Sequence, residues 1–326
     1  MRWLRSSLVL LLIVPAGTAV CAGPGTQAES LFADTQFHQG FLLSYPDSSK
    51  GRAVESVLDF GDGNNVPVWR LCQWATKHSL ASARCLRGAD GSLSYENETK
   101  RVRVCHSDGE SRGLTLEIRG SAEYGTRARK QGESWPHLLI EQDAVRLRAL
   151  DELDEIRLRI RLRLLHSKAG MSAVEYDPGL HAAQFQMFFI VKSIRPRSAD
   201  RGNYYWFGVP FYDSRHDIPP AFMAADAGKK DATGKFIYTV AGETLGEASL
   251  KTSQWVALDV DLLPHIVQGL REAVKREYLK DSGPHDYAVA NMNLGWEIPG
   301  TFDAAVQVQD FEVLAVLKDG RDGTSP

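Results

Sequence analysis

The sequence predicts an all-β fold, a two-layer antiparallel β-sandwich of the jelly-roll kind with one substantial helix near residues 262–279. Three observations predict it. Residues 155–165 (EIRLRIRLRLL) alternate strictly, with Ile156, Leu158, Ile160, Leu162 and Leu164 on one face and four arginines on the other. Roughly a dozen further segments carry strand signals at moderate spacing, as a two-sheet sandwich requires. Only one segment has a clear helical period.

The strand candidates in chain order are residues 41–45, 66–74, 92–104, 113–120, 137–142, 155–165, 182–193, 204–212, 236–240, 255–260, 287–296 and 305–317. The helix has Asp261 or Asp259 as its cap and Pro264 in its first turn. Leu263, Ile266, Val267, Leu270, Val274 and Tyr278 form its apolar stripe.

The chain has 326 residues, of which 43% are hydrophobic and 24% charged, enough for a large core. A net charge of −3 argues against bulk electrostatic binding of nucleic acid. Residues 1–22 read as a signal peptide. Arg2 and Arg5 precede the short apolar run LVLLLIV, and Val20-Cys21-Ala22 offers small residues before a cut. That run is too short for a membrane span, so the expected location is exported, periplasmic or extracellular. The one membrane alternative is a lipid anchor on Cys21. Residues 23–36 read as a flexible leader, 37–317 as a single domain and 318–326 as a tail. Cys72, Cys85 and Cys105 remain after cleavage. Export permits a disulfide, for which the short connection favours Cys72 with Cys85; three buried reduced cysteines is the equal alternative.

The densest chemistry lies in residues 203–220, NYYWFGVPFYDSRHDIPP. Tyr205, Trp206 and their aromatic neighbours stand beside Asp213, Arg215, His216 and Asp217. Flat rings stack on the C–H faces of a pyranose, while carboxylates, guanidinium and imidazole bond its hydroxyls. The expected ligand is therefore a polysaccharide or oligosaccharide. Residues 137–142 (HLLIEQ) place His137 and Glu141 on one face. A carboxylate in an otherwise apolar strand must be solvated in a cleft, paired or shifted in pKa. Gln184 and Gln186 share a strand face, as do Tyr287, Asn291, Asn293 and Glu297. Trp69, Trp74 and Trp135 fall at strand ends, with at least one of Trp69 and Trp74 assigned to the core. No structural metal or cofactor is expected. Asp213, His216, Asp217 and Asp226 leave calcium open, although histidine suits calcium poorly. The Asp151–Glu155 acids read as a charged turn, and the arginine stripe as a solvated face balanced by Asp310 and Glu312.

The many strands, the late helix and the closing DFEVLAVL segment together resemble the concanavalin A-like lectin/glucanase superfamily. That resemblance implies a carbohydrate ligand. The expected function is a secreted carbohydrate-active protein that hydrolyses a polysaccharide. Glu141 with Asp213 or Asp217, and His216, form the acid–base set. Gln184, Gln186, Tyr205, Trp206, Arg215, Asn291, Asn293 and Glu297 position the sugar. Jelly-roll alginate lyases suggest a second reading, a lyase acting on a uronate polymer. Glu117-Ile118-Arg119, Gln184-Phe185-Gln186 and the tyrosine-rich segment run in the lyase order, but Gln186 stands where histidine is expected. A non-catalytic glycan-binding module is the third.

Overall fold

Two sheets enclose the core of the computed structural model, which describes residues 27–61, 66–125, 127–227, 232–246, 248–280 and 283–318. The expected signal peptide, Cys21 and nearly all of the tail lie outside the described residues.

The eight-stranded sheet runs β15 (Val256–Asp261), β10 (Leu153–Ala169), β17 (Phe302–Leu317), β8 (Gly113–Arg119), β7 (Lys100–Cys105), β6 (Leu93–Glu96), β5 (Leu86–Arg87). Here β1 (Ala28–Ser30) also pairs with the far end of β17. The nine-stranded sheet runs β13 (Phe222–Ala225), β14 (Phe236–Thr239), β12 (Tyr204–Asp213), β11 (Gln184–Ser193), β16 (Tyr287–Glu297), β9 (His137–Asp143), β4 (Trp69–Cys72), β2 (Phe41–Ser44), β3 (Val54–Leu58). Pairing is antiparallel except for β12 with β14 and β2 with β4. The fold is a jelly-roll β-sandwich, as expected.

Alternation accounts for the sandwich. From β10, Ile156, Leu158, Ile160 and Leu162 are buried; from β11, Phe185, Met187, Phe189 and Val191; from β12, Tyr205, Phe207 and Val209; from β16, Met292, Leu294 and Trp296. Apolar surface of both sheets leaves water in one continuous cluster. On the outer face of β10 the arginines are neutralised across the sheet. Arg157 pairs with Asp259, Arg159 with Glu312, Arg161 with Asp310 and Arg163 with Glu110. The stripe is thus the balanced solvated face expected of it.

Several expectations change. Residues 27–36 are no flexible leader. β1 pairs with β17, and Leu31 and Phe32 are buried because the sandwich supplies apolar surface that a local reading cannot show. Residues 92–104 form a hairpin rather than one strand, since Asn97 accepts from the amides of Thr99 and Lys100 and turns the chain. Cys72, Cys85 and Cys105 are all free. Cys72 is buried in a central strand of one sheet, while Cys85 is exposed beside the edge of the other. Tyr287 does not share the face of Asn291, because a bulge between the Ile190–Asn291 and Val191–Val289 pairs reverses the alternation.

Among the described residues the long helix α2 (Leu263–Lys275) is the second of two α-helices; α1 (Gly120–Tyr124) is a single turn. Pro264 lies in the first turn of α2, and Asp261 accepts a hydrogen bond from the Leu263 amide. Asp259 instead holds Arg157. Leu263, Ile266, Leu270 and Ala273 are buried. The helix packs on β10, β12 and β14, and the Tyr205 hydroxyl donates to the Ile266 carbonyl.

Gly269 is what lets the helix come so close. A Cβ there would lie 2.9 Å from Tyr205 Cε2 and 3.0 Å from Tyr238 Cδ1. Gly269→Ala should therefore destabilise the protein by about 1–2 kcal/mol in urea unfolding, because overpacking outweighs the gain in helix propensity. An alanine variant more stable than wild type would show that the helix shifts freely on the sheet.

Lys100 is fully buried, 3.9 Å from Glu123, and burial lowers its pKa to about 8 against the pull of that carboxylate. The folded state gives up this proton at lower pH than the unfolded chain. Between about pH 8 and the usual lysine value, the unfolded chain thus binds more protons. Stability from this group should rise over that window. Urea midpoints of wild type and Lys100→Met, compared at pH 7.5 and 10, should show wild type gaining on the variant at the higher pH.

Candidate functional site

A cleft of about 1530 Å³ lies over the outer face of the nine-stranded sheet. The register lays that outer face out as a grid. One row reads Asp143, Asn291, Ile190, Trp206, Ile237; the next Arg70, Glu141, Asn293, Phe188, Gly208, Thr239. The third reads Leu139, Gly295, Gln186, Pro210; the fourth His137, Glu297, Gln184, Asp213. These residues share a face because the same strands put their other side chains into the core. Gly208 opens the floor: a Cβ there would lie 2.7 Å from Phe188 Cε1, so the ring can lie across its neighbour.

Trp74, Trp135, Phe188 and Trp206 line the cleft with Gln184, Gln186, Asn293, Arg215 and His216. Trp69, by contrast, is core. The Phe188 and Trp206 rings meet edge to face at 6.1 Å.

Glu141 sits on the floor, mostly buried, with Arg52 Nη2 at 3.5 Å and Arg70 Nε at 3.6 Å. Burial raises its pKa; Arg52 and Arg70 oppose the rise without cancelling it, and the charge of Asp143 adds to it. Asp143 stands two residues along the same face. Burial works against its charge too, but hydrogen bonds from Asn291 and Arg52 prevail and hold its pKa down. Arg52 Nη1 lies 2.9 and 2.7 Å from the two Asp143 oxygens, and Asn291 Nδ2 donates to Oδ1 at 2.9 Å. One guanidinium therefore touches both carboxylates. Asp143 carried no distinguishing signal in the sequence beyond its place two residues after Glu141.

At the other end, Asp213 accepts from Arg215 Nε at 2.8 Å and Nη2 at 2.6 Å, and from Gln184 Nε2 at 2.9 Å. Burial would raise its pKa, but the Arg215 bonds overcome this and lower it. Glu297 accepts from Trp135 Nε1 at 3.1 Å and from Gln186 Nε2 at 3.3 Å, and lies 3.3 Å from His137 Nε2.

The structure brings Glu141, Asp213, His216, Gln184, Gln186, Trp206, Arg215, Asn293 and Glu297 to one cleft. Asn291 shares their face and holds Asp143. Two candidates do not join them. Tyr205 is wholly buried against α2, since it is one residue out of phase with Trp206, and cannot touch a ligand in the cleft. Asp217 is exposed beyond the strand end and pairs with Lys251. Nor can Glu141 and Asp213 act as a direct pair. Three strand spacings and four residues of strand separate them, roughly 20 Å.

The lyase ordering also dissolves. Glu117 and Arg119 lie on β8 in the opposite sheet, where Glu117 pairs with Arg101 and Arg119. Among the described residues no three of His, Cys, Asp and Glu converge as metal ligands, so Asp213, His216, Asp217 and Asp226 form no calcium cage.

No family model and no curated protein matches the chain. Solved structures do. Endoglucanase cel12A from Rhodothermus marinus is 13% identical with a TM-score of 0.37 over 72% of this chain and 96% of its own. A family 12 xyloglucanase from Bacillus licheniformis is 7% identical with a TM-score of 0.38, over 72% of this chain and 97% of its own. The family 11 xylanase from Neocallimastix patriciarum is 10% identical with a TM-score of 0.34, over 72% and 94%. The architecture is a jelly-roll sandwich.

Substitution should separate the two neighbouring aromatics. Tyr205→Ala should cost about 3–5 kcal/mol in urea unfolding, as for a deleted core ring. Trp206→Ala should stay within about 1 kcal/mol of wild type. Equal losses would mean that Trp206 is core as well.

Proposed function

We propose that a polysaccharide lies along the cleft and is hydrolysed there, with Glu141 as proton donor and Asp143 as its ionised partner. The observation that carries this reading is the pair itself. Two carboxyls stand on one face of β9, about 7 Å apart along the strand, with environments that push their pKa values in opposite directions. Glu141 gives its proton to the glycosidic oxygen as the bond to the anomeric carbon breaks. Water attacks that carbon and its proton passes to Asp143. The separation leaves room for the water, in keeping with an inverting course. Arg52, exposed at the rim, holds Asp143 charged and must yield to the sugar.

The rest of the floor serves binding. Trp206, Phe188, Trp135 and Trp74 offer stacking surfaces. Gln184 and Gln186 each have an amide donor fixed by a carboxylate, Asp213 and Glu297 respectively, which turns their carbonyl oxygens to sugar hydroxyls. Asn293 stands between Glu141 and Phe188. A lyase would need a base and a carboxylate-neutralising group together, and its proposed Arg119 is in the wrong sheet. A non-catalytic module would use the same floor but would have no use for a divergent carboxyl pair.

We further propose that the protein is exported and begins near Gly23. Mass spectrometry of the secreted form should show residues 1–22 removed and no lipid on Cys21.

Purified protein should release reducing ends from at least one polysaccharide without an unsaturated, ultraviolet-absorbing product. Glu141→Gln and Asp143→Asn should each lower that rate about 10²–10⁴-fold with binding largely intact. Trp206→Ala should weaken binding. Full activity in Glu141→Gln removes it from the mechanism. An absorbing product establishes the lyase instead, and binding with neither signal the module.

A further inference from the structure

The cations of the cleft fall into two groups. Arg52 is matched by Asp143 and Glu141, Arg70 by Glu141 and Arg215 by Asp213. Lys77 and Arg129 also line the cleft, at the end that holds Trp74 and Trp135. Among the described residues neither makes an ion pair with a carboxylate. Arg129 is only 6% exposed. Its guanidinium donates to the main-chain carbonyls of Lys130, Glu133 and Leu180 at 3.3, 2.7 and 2.8 Å and lies 5.3 Å from the centre of the Trp135 ring. Its Nε is enclosed and has no acceptor. Lys77 is exposed, and its ammonium donates to the Glu123 carbonyl. The Glu123 carboxylate is engaged elsewhere, by the Lys77 amide at 2.8 Å and by buried Lys100 at 3.9 Å. Glu297, the carboxylate at this end of the floor, bonds Trp135 and Gln186 and lies against His137.

A nearly buried cation held by carbonyl dipoles, with no carboxylate bonded to it, leaves positive potential that an anion in the cleft would satisfy. Trp135 lies beside it, and Lys77 and Trp74 line the same cleft. We propose that Lys77, Arg129, Trp74 and Trp135 form a subsite for an anionic substituent of the bound glycan, a carboxylate or a sulfate ester. This rests on the glycan reading of the cleft and narrows its substrate class to charged or partly charged polymers. Arg129 fixes the position of the field, and Lys77, exposed, exchanges its bond to the Glu123 carbonyl for the anion. The neutral part of the same residue stacks on an indole.

Calorimetric titration of the whole protein at low ionic strength with glucuronate, glucose 6-sulfate, glucose and sodium sulfate tests this. At least one anionic sugar should bind tenfold or more tightly than glucose. Lys77→Gln should remove roughly tenfold of that preference, about one charge-assisted hydrogen bond, with glucose binding and the urea midpoint unchanged. Preference for glucuronate assigns a carboxylate, and preference for glucose 6-sulfate a sulfate ester. Equal binding of charged and neutral sugars, or no binding of either anionic sugar, overturns the proposal, as does an undiminished preference in Lys77→Gln. Sodium sulfate binding as tightly as the sugars would mean an adventitious ion only, and overturns it too. Arg129→Gln should lower the preference further; if it does not fold, the Lys77 result decides. Release of reducing ends from neutral polysaccharides is measured separately, so hydrolysis can stand while this subsite fails, and the reverse.

Discussion

A β-strand buried on one side must put every second residue into the core, and the two sheets here bury their inner faces mainly against each other, with α2 covering part of β10, β12 and β14. Phe185, Phe189, Phe207, Leu294 and Trp296 from one sheet meet Leu116, Ile118, Leu158, Ile160 and Val306 from the other. Everything else on the nine-stranded sheet follows from that demand. Once the inner positions are apolar, the positions between them are free to be polar or aromatic without loss of core. In β9, β16, β11 and β12 those positions hold Glu141, Asn293, Glu297, Gln184, Gln186 and Trp206. The cleft is the outer half of the same alternation that makes the sandwich.

The cleft floor is charged, yet its charges are managed locally. Glu141 lies between two arginines, Asp213 is clasped by Arg215 and Gln184, and Glu297 is shared by an indole, an imidazole and an amide. Apart from Arg52, which comes from the loop before edge strand β3, each partner lies on a neighbouring strand or an adjoining loop, so sheet register sets much of this chemistry as it sets the packing. Slipping one strand by a residue would bury these carboxylates and expose the core. The helix adds a second constraint. It caps the back of β12 through Tyr205 and Gly269, which fixes the strand whose other face carries Trp206.

Much of the architecture could be read from the chain because alternation is local. The arginine strand, the apolar faces of residues 182–193 and 204–212, and the helix with Pro264 in its first turn all needed only short-range pattern. The same logic put His137 with Glu141 and Gln184 with Gln186 on common faces. It failed where a bulge resets the alternation, as at Tyr287, and where a short edge strand such as Phe222–Ala225 has too little pattern to show. It also failed at Tyr205, because a tyrosine looks equally apt for core and cleft until its phase relative to the sheet is known.

By itself the sequence determined the class of fold and which polar and aromatic side chains share a face on the strands that carry the cleft. Period-two patterning records which side chains share a face, and a face is a property of one strand. Only the tertiary structure decided which faces meet. Strand order is set by pairing between segments more than a hundred residues apart, such as β9 with β16 and β10 with β17. That order separated Glu141 from Asp213, sent Glu117 and Arg119 to the opposite sheet, and set Asp143 beside Glu141 under the guanidinium of Arg52, a residue from the far edge of the sheet. Distance across a sheet is a sum of strand spacings, and no local pattern encodes it.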